Sequence, residues 1–312
     1  MIRHKKHLVI PDGQVKDGVP LDHWYWIGLY IAEKLPDVVI NIGDFADMPS
    51  LSSYDKGKRQ FEGRRYSKDV AAVHKALDLL YLGMCAAPDD YNPRLVLTLG
   101  NHENRINRAV DSDPMLDGTI SINQLKYENY GWEVVPFLKP IVIDGIAYCH
   151  YFPRGPSGKV TQTRSGAPNA STQAKREMMS CTSGHLQGLD VAMYSTGHKI
   201  VRGIIAGSCY MHDEEYLGPQ GNKHFRGILL KHRVQNGNYD LCEVSLDYLQ
   251  EKYGHMKPGL VNKTVFTFDN LLPCTIVKSC KKCGHSKYTK RGVTKTGKQR
   301  YKCELGHWFL GG

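Results

Sequence analysis

Leu95-Val96-Leu97-Thr98-Leu99-Gly100-Asn101-His102-Glu103 is the stretch on which the reading of this chain turns. Its first five residues form a short, continuously apolar run containing β-branched Val96 and Thr98, which suits a strand buried on both faces of a sheet. The chain then turns at a glycine and presents an amide, an imidazole and a carboxylate in succession. The layout recurs on either side. Val38-Val39-Ile40-Asn41-Ile42 runs into Gly43-Asp44, and Ile146-Ala147-Tyr148-Cys149 runs into His150. Groups able to bind metal or carry a proton thus appear where buried strands end, and in open α/β sheets ligands gather outside the carboxyl ends of strands.

Between these runs lie helical patterns. Residues 22–35 place Trp24, Ile27, Ile31 and Leu35 on one stripe, and residues 68–80 do the same with Val70, Val73, Leu77 and Leu80 behind Ser67 as an N-cap. Alternation of strand and helix predicts an α/β layered domain. From residue 200 onward the pattern becomes β, with runs over 200–205, 225–234 and 239–244, the last two flanking a hairpin turn at Gln235-Asn236-Gly237-Asn238. These strands predict a second sheet packed on the first. Residues 153–172, rich in Gly, Pro, Ser and Thr, read as a long loop.

A chain of 312 residues with 41% hydrophobic content can bury one large core beside something small. The opening MIRHKKHLVIPDG is broken at Pro11 and Asp12, so it reads as neither a secretory signal nor a membrane span, and a cytoplasmic protein with no membrane partner is expected. Cys85, Cys149, Cys181, Cys209 and Cys242 are scattered singly and read as reduced, mostly buried thiols. The net charge of +10 is lopsided: residues 275–312 hold ten Lys and Arg against Glu304 alone, leaving the remainder near neutral. The expected division is a domain over 1–272 and a small basic domain over 273–312.

In chain order, the candidate ligands are Asp12 and Gln14 in Pro-Asp-Gly-Gln, Asp44, Asn101 beside His102, His150, then His185 and Gln187 in Gly-His-Leu-Gln. Alone, Asp44 or Asn101 suits a turn or helix cap, and His150 suits a satisfied core histidine. Together, each behind an apolar run or a turn glycine, they predict one metal-binding pocket. Glu103 and Arg105 fit substrate contact and helix-start chemistry equally.

This order and spacing over residues 6–210 resembles the calcineurin-like metallophosphoesterase superfamily, and more loosely the members encoded by tailed bacteriophages. The resemblance implies a four-layer αββα sandwich with two divalent ions. It implies that Asp44 bridges them, that Asn101, His150 and His185 complete one site and Asp12, Gln14 and Gln187 the other, and that His102 protonates the leaving group. Gln14 and Gln187 stand where that family has histidines. An amide oxygen is a harder and weaker ligand than imidazole, so their site leans toward Mn²⁺ or Mg²⁺ rather than Zn²⁺, with Fe²⁺ also compatible.

The tail has its own ligand set. Cys280-Lys-Lys-Cys283, nineteen further residues, then Cys303-Glu-Leu-Gly-His307 give a Cys₃His arrangement suited to one structural Zn²⁺, with His285 as a competitor for the fourth position. The stretch from Cys283 to Phe309 resembles the N-terminal zinc ribbons of insertion-sequence transposases, although Cys303-x₃-His307 departs from their second Cys-x-x-Cys. Basic residues interleaved with Tyr288, Tyr301, Trp308 and Phe309, Arg300 among them, suit nucleic acid, with DNA favoured over RNA by the ribbon resemblance. Lys56, Lys58, Arg59, Arg64 and Arg65, between Asp44 and Tyr66, read either as further phosphodiester contacts or as a solvated loop.

The function expected is therefore a metal-dependent phosphodiesterase acting on nucleic acid, a DNA nuclease in particular. Two other readings stay open: a phosphomonoesterase acting on nucleotides or phosphoproteins, and a non-catalytic nucleic-acid-binding scaffold. The sequence is silent on oligomeric state.

Overall fold

The computed structural model describes residues 4–55, 57–153, 169–195, 197–214 and 221–258, together with the backbone of 288–293, 299–303 and 308–310. The chain divides into two compact units, Met1–Phe266 and Thr267–Gly312.

In the first unit, β1 (Lys5–Ile10), β2 (Val38–Asn41), β3 (Arg94–Thr98) and β4 (Glu133–Val135) run parallel. A hairpin of β10 (Gly227–Gln235) and β11 (Asn238–Ser245) joins them antiparallel along β1, giving the order β11-β10-β1-β2-β3-β4. The second sheet is ordered β5-β6-β7-β9-β8, from β5 (Ile141–Ile143), β6 (Ile146–Tyr148), β7 (Ser180–Ser183), β9 (Ile200–Ala206) and β8 (Leu189–Ser195). This corrects one expectation. The hairpin at 235–238 forms, but it extends the first sheet, and of the late strands only β9 joins the second. Burial explains the placement: Gly227–Lys231 is buried throughout, as befits a strand with β1 on one side and β11 on the other.

Strand alternation distributes the core among layers. Leu8, Ile10, Val39 and Leu97 face α1 (Asp22–Lys34), α2 (Tyr66–Met84) and the late helix Leu246–Tyr253, packing on Trp24, Ile27, Ile31, Val73, Leu77, Leu80 and Leu249. Ile106 of α3 (Asn104–Ser112) is buried in the same cluster. The alternate residues Val9, Ile40 and Val96 face the second sheet, where Ile146, Tyr148 and Ile204 meet them. On that sheet's far side Ala147, Cys149 and Cys181 pack with Ala174 of α4 (Ala170–Glu177). The order helix, sheet, sheet, helix follows. Helix α4 begins in the last three residues of the stretch that the sequence reads as loop and runs past it, capped by the Asn169 side chain accepting from the Thr172 N–H at 2.8 Å. The expected Ser67 cap is absent: α2 starts two residues earlier, after Arg65, with no side-chain cap.

Cys149, Cys181, Cys209 and Cys242 are free thiols, but Cys85 is disulfide-bonded, against the expectation that all five are reduced. It lies at the C-terminal end of α2 in a half-buried position. Among the described residues no helix is long and apolar enough to cross a membrane.

Among the described residues, the layer between the sheets holds a polar island around His7. His7 is buried, its Nδ1 2.9 Å from the Tyr148 hydroxyl and its Nε2 2.9 Å from Asp144 Oδ2. Buried Lys231 reaches the same hydroxyl at 3.3 Å and Thr182 Oγ1 at 2.5 Å, and burial pushes its ammonium well below the usual lysine range. Burial, against the pull of Asp144, lowers His7 to about 4 from 6.5. The unfolded chain therefore binds more protons on this histidine between those pH values, and stability falls as pH drops from 6.5 toward 4. The expected loss is about 3 kcal/mol at about 1.4 kcal/mol per unit. Urea unfolding at pH 7, 5.5 and 4.5 measures it, and His7→Gln should flatten that part of the profile; identical profiles would show that His7 has no share in it.

In the second unit β12 (Tyr288–Val293), β13 (Gln299–Cys303) and β14 (Trp308–Leu310) form an antiparallel sheet with β13 in the middle. Cys303 ends β13, whereas Cys280, Cys283, His285 and His307 lie outside the described residues, as does Lys56.

Candidate metal centre

Five strands deliver the pocket. Asp12 and Gln14 follow β1, Asp44 follows β2, Asn101 and His102 follow β3, His150 follows β6, and His185 with Gln187 follows β7. Both sheets contribute, and backbone hydrogen bonds lock the loops together. The Gly13 and Gln14 N–H groups donate to the Asp44 carbonyl at 2.9 Å each, the Gly184 N–H to the His150 carbonyl at 2.9 Å, and the Cys209 N–H to the Asp12 carbonyl at 2.7 Å. Four of the predicted ligands sit in the left-handed region: Gln14 at φ 44°, Asp44 at 50°, His185 at 71° and Gln187 at 59°. Such conformations cost free energy for residues with a side chain, and they persist where surrounding structure enforces them.

Two glycines have a steric reason. A Cβ on Gly100 would stand 2.1 Å from Asp44 Oδ1, and one on Gly184 would stand 2.2 Å from Asp12 Oδ1. Each lets backbone press against a carboxylate. Gly100→Ala is expected to displace Asp44 and weaken divalent-ion binding by at least about tenfold, comparable to disturbing a ligand's supporting shell. Calorimetric titration checks this, with circular dichroism confirming that the fold survives; unchanged affinity would refute it.

Asp44, His150 and His185 bring one ligand atom each to within 4.8 Å of one another. The His150 ring shows why the group suits a cation. Its Nδ1 lies 2.9 Å from the Ile42 carbonyl and must donate there, because a carbonyl only accepts. Its Nε2 faces Asn101 Oδ1 at 3.0 Å and Asp44 Oδ2 at 3.2 Å. Lone pairs converge on a buried point, and only a proton or a metal ion reconciles them. Burial opposes charge on His150, but Asp44, aided by Asp12 and Glu103, outweighs it and pushes the imidazole up to about 9. Burial likewise opposes ionisation of Asp44, yet His102 and His150 hold its carboxyl well below the usual range. Burial and the adjacent His150 lower His185 to about 4, while burial dominates at Asp12 and lifts it to about 7. The donor set of Asp44, Asn101, His150 and His185 therefore fits a divalent ion.

His102 stands at the edge of this group. Its backbone N–H donates to Asp44 Oδ1 at 2.9 Å, its Nδ1 lies 2.8 Å from Asp47 Oδ1, and its Nε2 lies 3.7 Å from Asp44 Oδ2 and 3.2 Å from an Arg105 guanidinium nitrogen. Although burial disfavours the imidazolium, Asp44 and Asp47 more than compensate and raise the His102 pKa. Asp47, three residues past Asp44, escapes a motif reading. Its own burial is overcome by His102, Lys16 and Arg105, which keep it ionised. Lys16 lies 3.1 Å from Asp47 and 2.6 Å from Glu214, extending the charged row away from the pocket.

Glu103 stands at the N-cap position of α3, without a side-chain cap hydrogen bond, and its carboxylate turns into the protein. Fully buried, it accepts from the backbone N–H groups of Asp44 at 3.1 Å, Ala46 at 2.9 Å and Gly100 at 2.9 Å, and from the Tyr127 hydroxyl at 3.2 Å. It pins two ligand loops together. Among the expected substrate contacts, Arg105 belongs to the His102 group, donating to the Asp47 carbonyl at 2.8 Å. Lys58 and Arg64 pair with Asp55 at 3.2 and 2.7 Å, and Arg59 and Arg65 are exposed. Tyr288, Arg300 and Tyr301 lie on β12 and β13, with Tyr288 paired to Cys303 and Tyr301 to Lys290.

No known protein family matches this sequence, nor does any curated protein. Among solved structures it is similar to a conserved uncharacterized protein of Streptococcus pneumoniae TIGR4, described as a predicted phosphoesterase. The identity is 11%, covering 79% of this chain and 92% of that one, at a TM-score of 0.34.

Proposed function

We propose that the first unit hydrolyses phosphodiester bonds in nucleic acid and that the basic tail keeps it on the polymer. The observation that carries this reading is the cation-demanding convergence of Asp44, Asn101, His150 and His185 beside His102 and Asp47. A divalent ion held there would polarise a phosphoryl oxygen and lower the pKa of an attacking water. His102, tied through Nδ1 to Asp47, would give a proton from Nε2 to the departing oxygen once Arg105, 3.2 Å from that nitrogen, turns to the phosphate. Arg105 supplies positive charge within 3.2 Å of that nitrogen, suited to a phosphate oxygen.

Nucleic acid as the substrate rests on the tail, which holds ten basic residues against one acidic and a Cys280, Cys283, Cys303 and His307 set for one Zn²⁺. DNA is preferred over RNA on the ribbon resemblance. Deleting residues 275–312 is expected to spare cleavage of small diesters, while DNA affinity falls and its dependence on salt flattens by about 0.9 in log–log slope for each phosphate no longer neutralised. Unchanged DNA affinity would assign the tail another role.

The primary test incubates the full chain and Mn²⁺ with bis-p-nitrophenyl phosphate, p-nitrophenyl phosphate, and circular single-stranded and duplex DNA. Cleavage of the diester and nicking of a circle are expected. Monoester cleavage with intact DNA would replace the reading with a phosphomonoesterase, and no hydrolysis at all would leave a binding scaffold.

A further inference from the structure

We infer that the first unit holds one divalent ion rather than two, with the Gln14 carboxamide taking the place of the second. The inference rests on the metal-dependent reading above and concerns the residues that a second ion would need: Asp12, Gln14, Gln187 and a shared oxygen of Asp44.

Asp12, Gln14 and Gln187 are each engaged by protein groups. Gln14 Nε2 lies 3.4 Å from Asp44 Oδ2 and donates to it. An amide nitrogen has no free lone pair for a metal, and as a hydrogen-bond donor it competes with a cation for the same carboxylate oxygen. Both Asp12 oxygens lie 3.0 Å from the His185 backbone N–H. Gln187 Oε1 accepts from the Tyr210 hydroxyl at 2.9 Å, and that hydroxyl lies 3.3 Å from His224 Nε2, which in turn is 2.9 Å from Ser208 Oγ. Among the described residues Asp44, His150 and His185 each bring one ligand atom to within 4.8 Å of the others.

Donor strength points the same way: the neutral amides at positions 14 and 187 are weaker ligands than the imidazoles that would hold a second ion.

The test counts ions directly. Full-length protein with zinc in its tail is titrated with Mn²⁺, binding is quantified by calorimetry, and the bound ion is characterised by electron paramagnetic resonance. One Mn²⁺ per chain with the six-line spectrum of an isolated ion is expected, and the Gln14→His/Gln187→His variant should take up a second and show an exchange-coupled spectrum. Two coupled Mn²⁺ ions in the unaltered protein would overturn the inference and leave the proposed function standing. Absence of any Mn²⁺ binding would overturn the metal-dependent reading itself. If the double variant does not fold, the count in the unaltered protein still decides.

Discussion

Asp44→Asn is expected to abolish divalent-metal binding and phosphoester hydrolysis together. The carboxylate uses one oxygen for the His102 N–H at 2.9 Å and turns the other to the pocket, 3.2 Å from His150 Nε2 and 3.4 Å from Gln14 Nε2. Asparagine has a single acceptor oxygen. If it keeps the His102 contact, its NH₂ meets the Gln14 NH₂ donor to donor and offers a metal nothing. The substitution also removes the negative charge that sustains the high His150 and His102 pKa values. Thermal melting gives a readout independent of turnover. At Mn²⁺ a hundred times its dissociation constant the unaltered protein should gain about 2.7 kcal/mol, and the variant nothing. A variant still stabilised by Mn²⁺ would remove Asp44 from the ligand set.

Glu103→Ala should cost more in stability than any change at the pocket surface. Three buried backbone N–H groups, those of Asp44, Ala46 and Gly100, lose their acceptor, as does the Tyr127 hydroxyl. At about 1–3 kcal/mol for each buried donor left unpaired, the loss is on the order of 5 kcal/mol, a large share of a typical folding free energy. Glu103→Gln keeps one acceptor oxygen and should lie between the two. Urea unfolding monitored by tryptophan fluorescence measures both variants. A loss below about 1 kcal/mol in the alanine variant would mean that water reaches these amides.

Much of the pocket was legible because chemically distinctive residues follow apolar runs, as at Gly43-Asp44 and Gly100-Asn101, and strand geometry puts such residues at one edge of a sheet. Asp47 was not legible. Its importance lies in a 2.8 Å contact with a residue 55 positions away, and nothing in Phe45-Ala46-Asp47 signals it. The hairpin of β10 and β11 was visible from Asn236-Gly237, but a turn says nothing about which sheet accepts the pair. The second sheet begins with β5 and β6, three residues each, too short for alternation to show. Helix α4 was hidden because ASTQAKRE carries no apolar stripe and sits behind turn-forming residues.

The pocket draws on both sheets, with Asp44 behind β2 and His185 behind β7, far apart along the chain. Neither sheet alone can assemble it, so the ligands meet only once the two sheets have docked. Ion uptake should then be a late event in folding, slow to arrive because contacts of high sequence separation close large loops first. A bound ion would also act as a clasp between the sheets, so its release should show as faster amide exchange along β6 and β7 before the helices loosen.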